Sequence, residues 1–230
     1  ANPTGPAPKA VIAPHAGYIY SGPVAGSAYA RLARDRNTIR RIVLLGPSHR
    51  VPFLGLAAPS VDFFETPLGR IPIDTDAIKG LAALPQVVVF DRAHDDEHSL
   101  EVHLPFLQVA LDAFTLVPLA VGDATAVEVA EVLEALWGGP ETRIVISSDL
   151  SHYLDYDTAR RRDQATTHAI ESLSYDAITT SDACGCYPIR GLLAVARKRG
   201  MHVETVDLRS SGDTAGPRSQ VVGYGAYVLS

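Results

Sequence analysis

Arg41-Ile42-Val43-Leu44-Leu45-Gly46-Pro47-Ser48-His49 is a run of aliphatic residues that stops at Gly-Pro and then delivers a histidine. Four consecutive aliphatic positions with a β-branched pair suit a strand covered on both faces. Gly-Pro ends such a strand because proline has no backbone donor for the ladder. The same grammar precedes it in Ala10-Val11-Ile12-Ala13-Pro14-His15 and follows it in Ile144-Val145-Ile146-Ser147-Ser148-Asp149-Leu150-Ser151-His152. In an open α/β sheet, ligands bind in the crevice outside the carboxyl ends of parallel strands. Three endings far apart in sequence are therefore expected to converge on one site.

Outward from these strands, the chain alternates. Ser21 or Gly22 can cap a helix with Pro23 at its first position, running to about Arg34. Leu54 to Pro59 and Phe63 to Ile73 read as an edge excursion or hairpin broken by Pro59, Pro67, Gly69 and Pro72. Asp74 can cap a helix to about Leu84, and Val87 to Phe90 is strand-like. Ser99 to Leu111 is helical with a break at Pro105, Phe114 to Val121 is a strand, and Thr125 to Leu136 a helix. Helices from about Asp157 to Leu173 and from Ile189 to Arg199 follow, the second ended by Gly200, and strands at Val203 to Leu208 and Val221 to Leu229 close the chain. Strands alternating with helices predict a three-layer α/β/α sandwich around a largely parallel, mixed sheet, as a single domain over residues 1–230.

Hydrophobic residues make up 47% of the 230 residues and charged residues 20%, a globular balance with ample material for a core. The net charge of −6 argues against a nucleic-acid or anionic-membrane partner and favours a small molecule or a peptide. No apolar run approaches the ~20 residues of a membrane helix, and the opening Ala1-Asn2-Pro3-Thr4-Gly5-Pro6 resembles neither a signal nor a transit peptide, so a cytoplasmic location is expected. Cys184 and Cys186 are too close in sequence for an unstrained mutual bridge and are expected to remain thiols.

Three of the eight histidines, His15, His49 and His152, end strands. A lone histidine is more often a hydrogen-bonded structural residue than a ligand, but three at equivalent topological positions point to a two-His metal centre. The densest polar cluster is Asp95-Asp96-Glu97-His98-Ser99-Leu100-Glu101-Val102-His103. On a helix His98 and Glu101 share a face, while His103 lies about 140° round from His98, so one ion cannot be gripped by all three. The spacing also misses the His-Glu-x-x-His pattern of zinc peptidases. His98 and His103 are therefore expected to contact substrate or steady a ligand, and Glu101 to orient a neighbour. Asp149 and His152 share one loop, where the carboxylate can set a tautomer and the imidazole can move protons. No Gly-x-Ser-x-Gly elbow surrounds Ser147 and Ser148, which read as hydroxyls satisfying backbone groups. Cys184 precedes a helix, where a thiolate is favoured by terminal donors or by a metal.

Taken together, Pro14-His15-Ala16-Gly17-Tyr18, Gly46-Pro47-Ser48-His49, Asp96-Glu97-His98-Ser99-Leu100-Glu101-Val102-His103-Leu104-Pro105, Ser147-Ser148-Asp149-Leu150-Ser151-His152 and Cys184-Gly185-Cys186-Tyr187-Pro188-Ile189 resemble the Memo family over nearly the whole chain. Bacterial and archaeal members are called AmmeMemoRadiSam system protein B, and the fold resembles that of class III extradiol dioxygenases. The resemblance implies that His15, His49 and Cys184 are metal ligands, with Asp149 and His152 beside them. It further implies that His152 acts as acid and base and that His98 contacts substrate. Members usually carry a segment of the type Ala-Gly-x-Phe-Tyr-Pro before the first motif. It does not occur here, so that flank of the site is expected to be covered differently.

The function expected is that of an Fe(II)-binding, oxidoreductase-like relative of extradiol dioxygenases, acting with O₂ on a small phenolic or similar bidentate substrate. A thiolate ligand also suits copper or zinc. The alternative is a non-catalytic protein that handles copper or iron or receives a peptide, and the family name implies AMMECR-type and radical SAM proteins as partners. A zinc hydrolase, resting on generic His and Asp ligands alone, ranks last.

Overall fold

The computed structural model describes residues 7–230. Strand β1 (Ala10–Ala13) leads into helix α1 (Tyr18–Leu32) and then β2 (Arg41–Pro47). The excursion consists of β3 (Leu56–Ala58), a hairpin of β4 (Phe63–Thr66) and β5 (Gly69–Pro72), α2 (Thr75–Gly80) and β6 (Val87–Val89). Next come α3 (His98–Glu101), α4 (His103–Ala110), β7 (Thr115–Val121), α5 (Ala126–Ala135) and β8 (Thr142–Ser147). The remainder is β9 (His152–Leu154), α6 (Tyr156–Glu171), α7 (Cys186–Arg199), β10 (Val203–Ser210) and β11 (Val221–Leu229).

Nine strands form one mixed sheet in the order β10-β11-β1-β8-β2-β7-β3-β6, with β9 paired to β11. The centre, β1, β8, β2 and β7, is parallel throughout, and β11 and β3 join it antiparallel on either side. Alternate residues of the central strands serve opposite faces, as the pleat requires. Ile12, Val43, Leu45, Ile144 and Ile146 pack with α5 and α7 through Val129, Val132, Ile189 and Leu192. Val11, Ile42, Leu44 and Val145 pack with α1 and α4 through Val24, Ala28, Leu104 and Leu107. Burial on both faces explains why these strands read as continuous aliphatic runs. The expected α/β/α layering is present.

Several boundaries differ from those read in the sequence. Helix α1 starts at Tyr18 rather than at Pro23, which lies inside it. The proline leaves the Ile19 carbonyl without a helical partner, and Ile19 is exposed, so solvent can satisfy it. Ser21 does not cap the helix; its hydroxyl donates to the Ala16 carbonyl at 2.7 Å. The break in the expected helix after Ser99 falls at Val102, and Pro105 sits in the first turn of α4, where a backbone N–H has no helical partner to lose. Helix α7 likewise starts early, at Cys186, with Pro188 in its first turn, and Gly200 ends it in the left-handed conformation at φ 65°. The short strand β9 lies in what the sequence presents as loop. Among the described residues, no helix is long and apolar enough to cross a membrane.

Candidate metal centre

Strands β1, β8 and β2 are neighbours, so their carboxyl ends release His15, Asp149 and His49 into one crevice. The end of β8 organises the other two segments. The Asp149 carboxylate accepts the His15 backbone N–H at 2.8 Å, and Ser148 donates its own N–H to Ala13 at 3.0 Å. Cys184 arrives from the loop ahead of α7, with its N–H on the Asp149 carbonyl at 3.3 Å. Gly185 lets this loop close onto β8, because a Cβ there would lie 2.4 Å from the Ser147 carbonyl oxygen. Its N–H reaches the Ser148 hydroxyl at 2.9 Å. The donor atoms of His15, His49 and Cys184 consequently lie within 4.8 Å of one another.

Each donor is held by a partner behind it. Glu97 grips His49 twice, accepting the backbone N–H at 2.5 Å and the ring Nδ1 at 2.9 Å. The same carboxylate caps α3 by accepting the Ser99 N–H at 2.9 Å. Burial opposes ionisation of Glu97, yet these hydrogen bonds from His49 and Ser99 prevail and bring its carboxyl down to about 2. An ionised carboxylate only accepts, so Nδ1 of His49 carries a proton and Nε2 is the nitrogen turned away from Glu97, the arrangement that suits a metal ligand. His15 is buried and its Nδ1 lies 2.6 Å from the Ser147 hydroxyl. Burial, followed by the neighbouring His49 and His98 rings, holds His15 well below the usual imidazole range, in its neutral form.

Burial and the Asp149 carboxylate push the Cys184 thiol up to about 12. Its Sγ accepts the Asp149 N–H at 3.3 Å and stands 3.5 Å from Nε2 of His15. Two imidazoles, that of His15 neutral, and a thiol form a donor set that fits a transition metal, which deprotonates a coordinating thiol. Around this set, His98 stacks on His49 with ring centroids 5.0 Å apart and lies 5.4 Å from His15. His98 is half-exposed, and His49, Glu97 and His98 form a second group of clustered donors. His152 is exposed on β9, near enough for its charge to favour the ionised form of Asp149. Burial is the larger influence on Asp149 and raises its carboxyl. Asp96 and Tyr153, each next to a site segment, have left-handed φ values of 57° and 58° that non-glycine residues adopt sparingly.

The structure thus brings together His15, His49, Cys184, Asp149, His98 and His152. It separates Glu101 from the role expected of it. Glu101 is exposed and lines a cleft of about 350 Å³ with Phe63, Phe64 and His94; the carboxylate that orients a neighbour is Glu97, four residues earlier. Helical phasing favoured Glu101, but the short α3 begins only at His98, so Glu97 turns inward as its cap. Of the two roles expected of His103, its full burial leaves the one behind the candidate donors, with Nε2 on Ser147 at 2.8 Å. Ser147, a hydroxyl that satisfies the Ser99 carbonyl as its sequence reading expects, also meets His15 and His103, and Tyr29 meets His103; nothing in the sequence signals these ring contacts.

The model for the family described as Memo-like protein matches residues 2–228. A MEMO1 family protein of Archaeoglobus fulgidus is 39% identical over 235 residues, covering 96% of this chain and 86% of its own. Another from Metallosphaera sedula is 35% identical over 229 residues, covering 93% and 80%. Among solved structures, an uncharacterized protein of Escherichia coli K12 superposes with a TM-score of 0.58 at 15% identity, over 94% of this chain and 98% of its own, a likeness of fold.

Proposed function

This chain belongs to the Memo-like protein family, and on that premise we propose that it is a metal-dependent, Fe(II)-binding oxidoreductase-like protein that acts with O₂ on a small phenolic or similar bidentate substrate. The observation that carries the reading is the convergence of His15, His49 and Cys184 within 4.8 Å, with acid-base side chains beside them. Iron held by these donors would supply a Lewis acid and a template for paired oxygen atoms. The protein's own part is positioning and proton movement. Glu97 aims His49, Asp149 anchors the backbone of the His15 segment, and Cys184 gives up its proton on loading. His152, exposed at the rim, takes a proton from a phenolic hydroxyl and returns one to product, while half-exposed His98 borders the same space.

The test is metal content after anaerobic purification, followed by an aerobic screen of catechols for oxygen uptake. Stoichiometric iron that disappears in Cys184→Ala, with uptake abolished in His152→Ala, is expected. A second reading, a non-catalytic protein that handles copper or iron, is favoured by the thiol among the donors, since a soft ligand suits copper. Copper in place of iron, with no oxygen uptake on any catechol, would establish it.

A further inference from the structure

Behind His15 lies a hydrogen-bond chain of buried groups that branches at Ser147. The Tyr29 hydroxyl is 2.7 Å from Nδ1 of His103, Nε2 of His103 is 2.8 Å from Oγ of Ser147, and Nδ1 of His15 is 2.6 Å from the same oxygen. Ser147 Oγ is also 2.6 Å from the Ser99 carbonyl oxygen. We propose that Ser147 is a positioning residue that locks His15 in the one tautomer whose Nε2 is free to bind metal, through a proton order running from Tyr29 to His103 to Ser147 to Ser99. This rests on the reading of His15 as a metal ligand.

The order follows by elimination. A carbonyl has no proton, so the Ser147 hydroxyl must donate to Ser99. The two remaining lone pairs of Ser147 can then only accept, which requires His15 to carry its proton on Nδ1 and His103 on Nε2. Nδ1 of His103 is left as an acceptor, so Tyr29 donates to it. Four contacts and four protons match one to one when both rings are neutral. An imidazolium at His103, fully buried with no carboxylate against it among the described hydrogen bonds, would carry a large desolvation cost. The bare Nε2 of His15 then faces Cys184 Sγ, 3.5 Å away. Reversing any link leaves two acceptor atoms in contact with no proton between them.

The experiment is ¹⁵N-imidazole NMR of the metal-free protein, paired with Fe(II) titration under anaerobic conditions. In the unaltered protein His15 is expected as Nδ1–H with an unprotonated Nε2. In Ser147→Ala that tautomer should lose its dominance and Fe(II) Kd should rise by about 10- to 100-fold, the range for losing a partner behind a ligand. If alanine there prevents folding, Ser147→Cys fills the space more fully, with a weaker acceptor, and should move both readouts in the same direction by a smaller factor. An Nε2–H tautomer in the unaltered protein, or an unchanged tautomer and Kd in the variants, overturns the proposal. Failure of the unaltered protein to bind iron would instead strike at the proposed function, because the tautomer is read without metal.

Discussion

Glu97 concentrates three hydrogen bonds on one carboxylate, and its ionisation is therefore coupled to stability. Its folded pKa, about 2, lies below the ordinary 4.5, so its contribution is present above 4.5 and is lost as pH falls towards 2. The difference corresponds to a contribution on the order of 3 kcal/mol at neutral pH. Glu97→Gln should lower stability at pH 7 and flatten its fall between about pH 5 and pH 2, as read from urea unfolding across that window. An unaltered acid limb in the variant would sink the coupling. Cys184 permits a second test at this scale. With its thiol at about 12, metal binding at neutral pH must release a proton. Calorimetry in two buffers of different ionisation enthalpy should count about one proton per metal, and Cys184→Ser should change that number; equal heats in both buffers would contradict thiolate ligation. His15, His49 and His152 were legible as histidines after strand ends, and Cys184, in the loop ahead of α7, through the family resemblance. Glu97 was not, since acidic residues at a helix start are common and only the fold turned this one inward.

Helix α7 and its approach loop set the position of the third donor. Gly185 is the N-cap of α7 and passes so close to β8 that a Cβ would lie 2.4 Å from the Ser147 carbonyl. Backbone is the obstacle, so the loop itself must move. Gly185→Ala is expected to cost about 2 kcal/mol or more and to weaken metal binding with it, measured as Tm and Fe(II) Kd together. Helix α5 supplies the control. Its Thr125 and Glu128 form a reciprocal capping box, and Thr125→Ala should cost about 1 kcal/mol with Kd unchanged. If both variants left Kd alone, the loop would not be what places Cys184. Strand and helix identities were readable from aliphatic runs and caps. Their starts were less so, because Pro23, Pro105 and Pro188 each lie inside a helix rather than at its boundary.

At the scale of the molecule, the donors come from segments separated by most of the chain, following β1 and β2 and preceding α7. A ligand gripping all of them binds the folded state and not the unfolded one, so it must stabilise by mass action. Fe(II) at about 100 times its Kd should add about 2.7 kcal/mol and raise Tm by about 5–10 °C, read by anaerobic calorimetry. The rise should vanish in Cys184→Ala; a persisting rise would place the binding elsewhere. Periodicity and strand-end chemistry were enough to determine the α/β class, the layers and the convergence of His15, His49 and Asp149, because local sequence encodes both burial and the point where a strand stops. What the tertiary structure alone decided was the sheet order that puts β8 between β1 and β2, and the groups standing behind each candidate donor. Glu97, Ser147, His103 and Tyr29 act through distances of hydrogen-bond length across long separations in sequence, and such contacts exist only once the layers have packed.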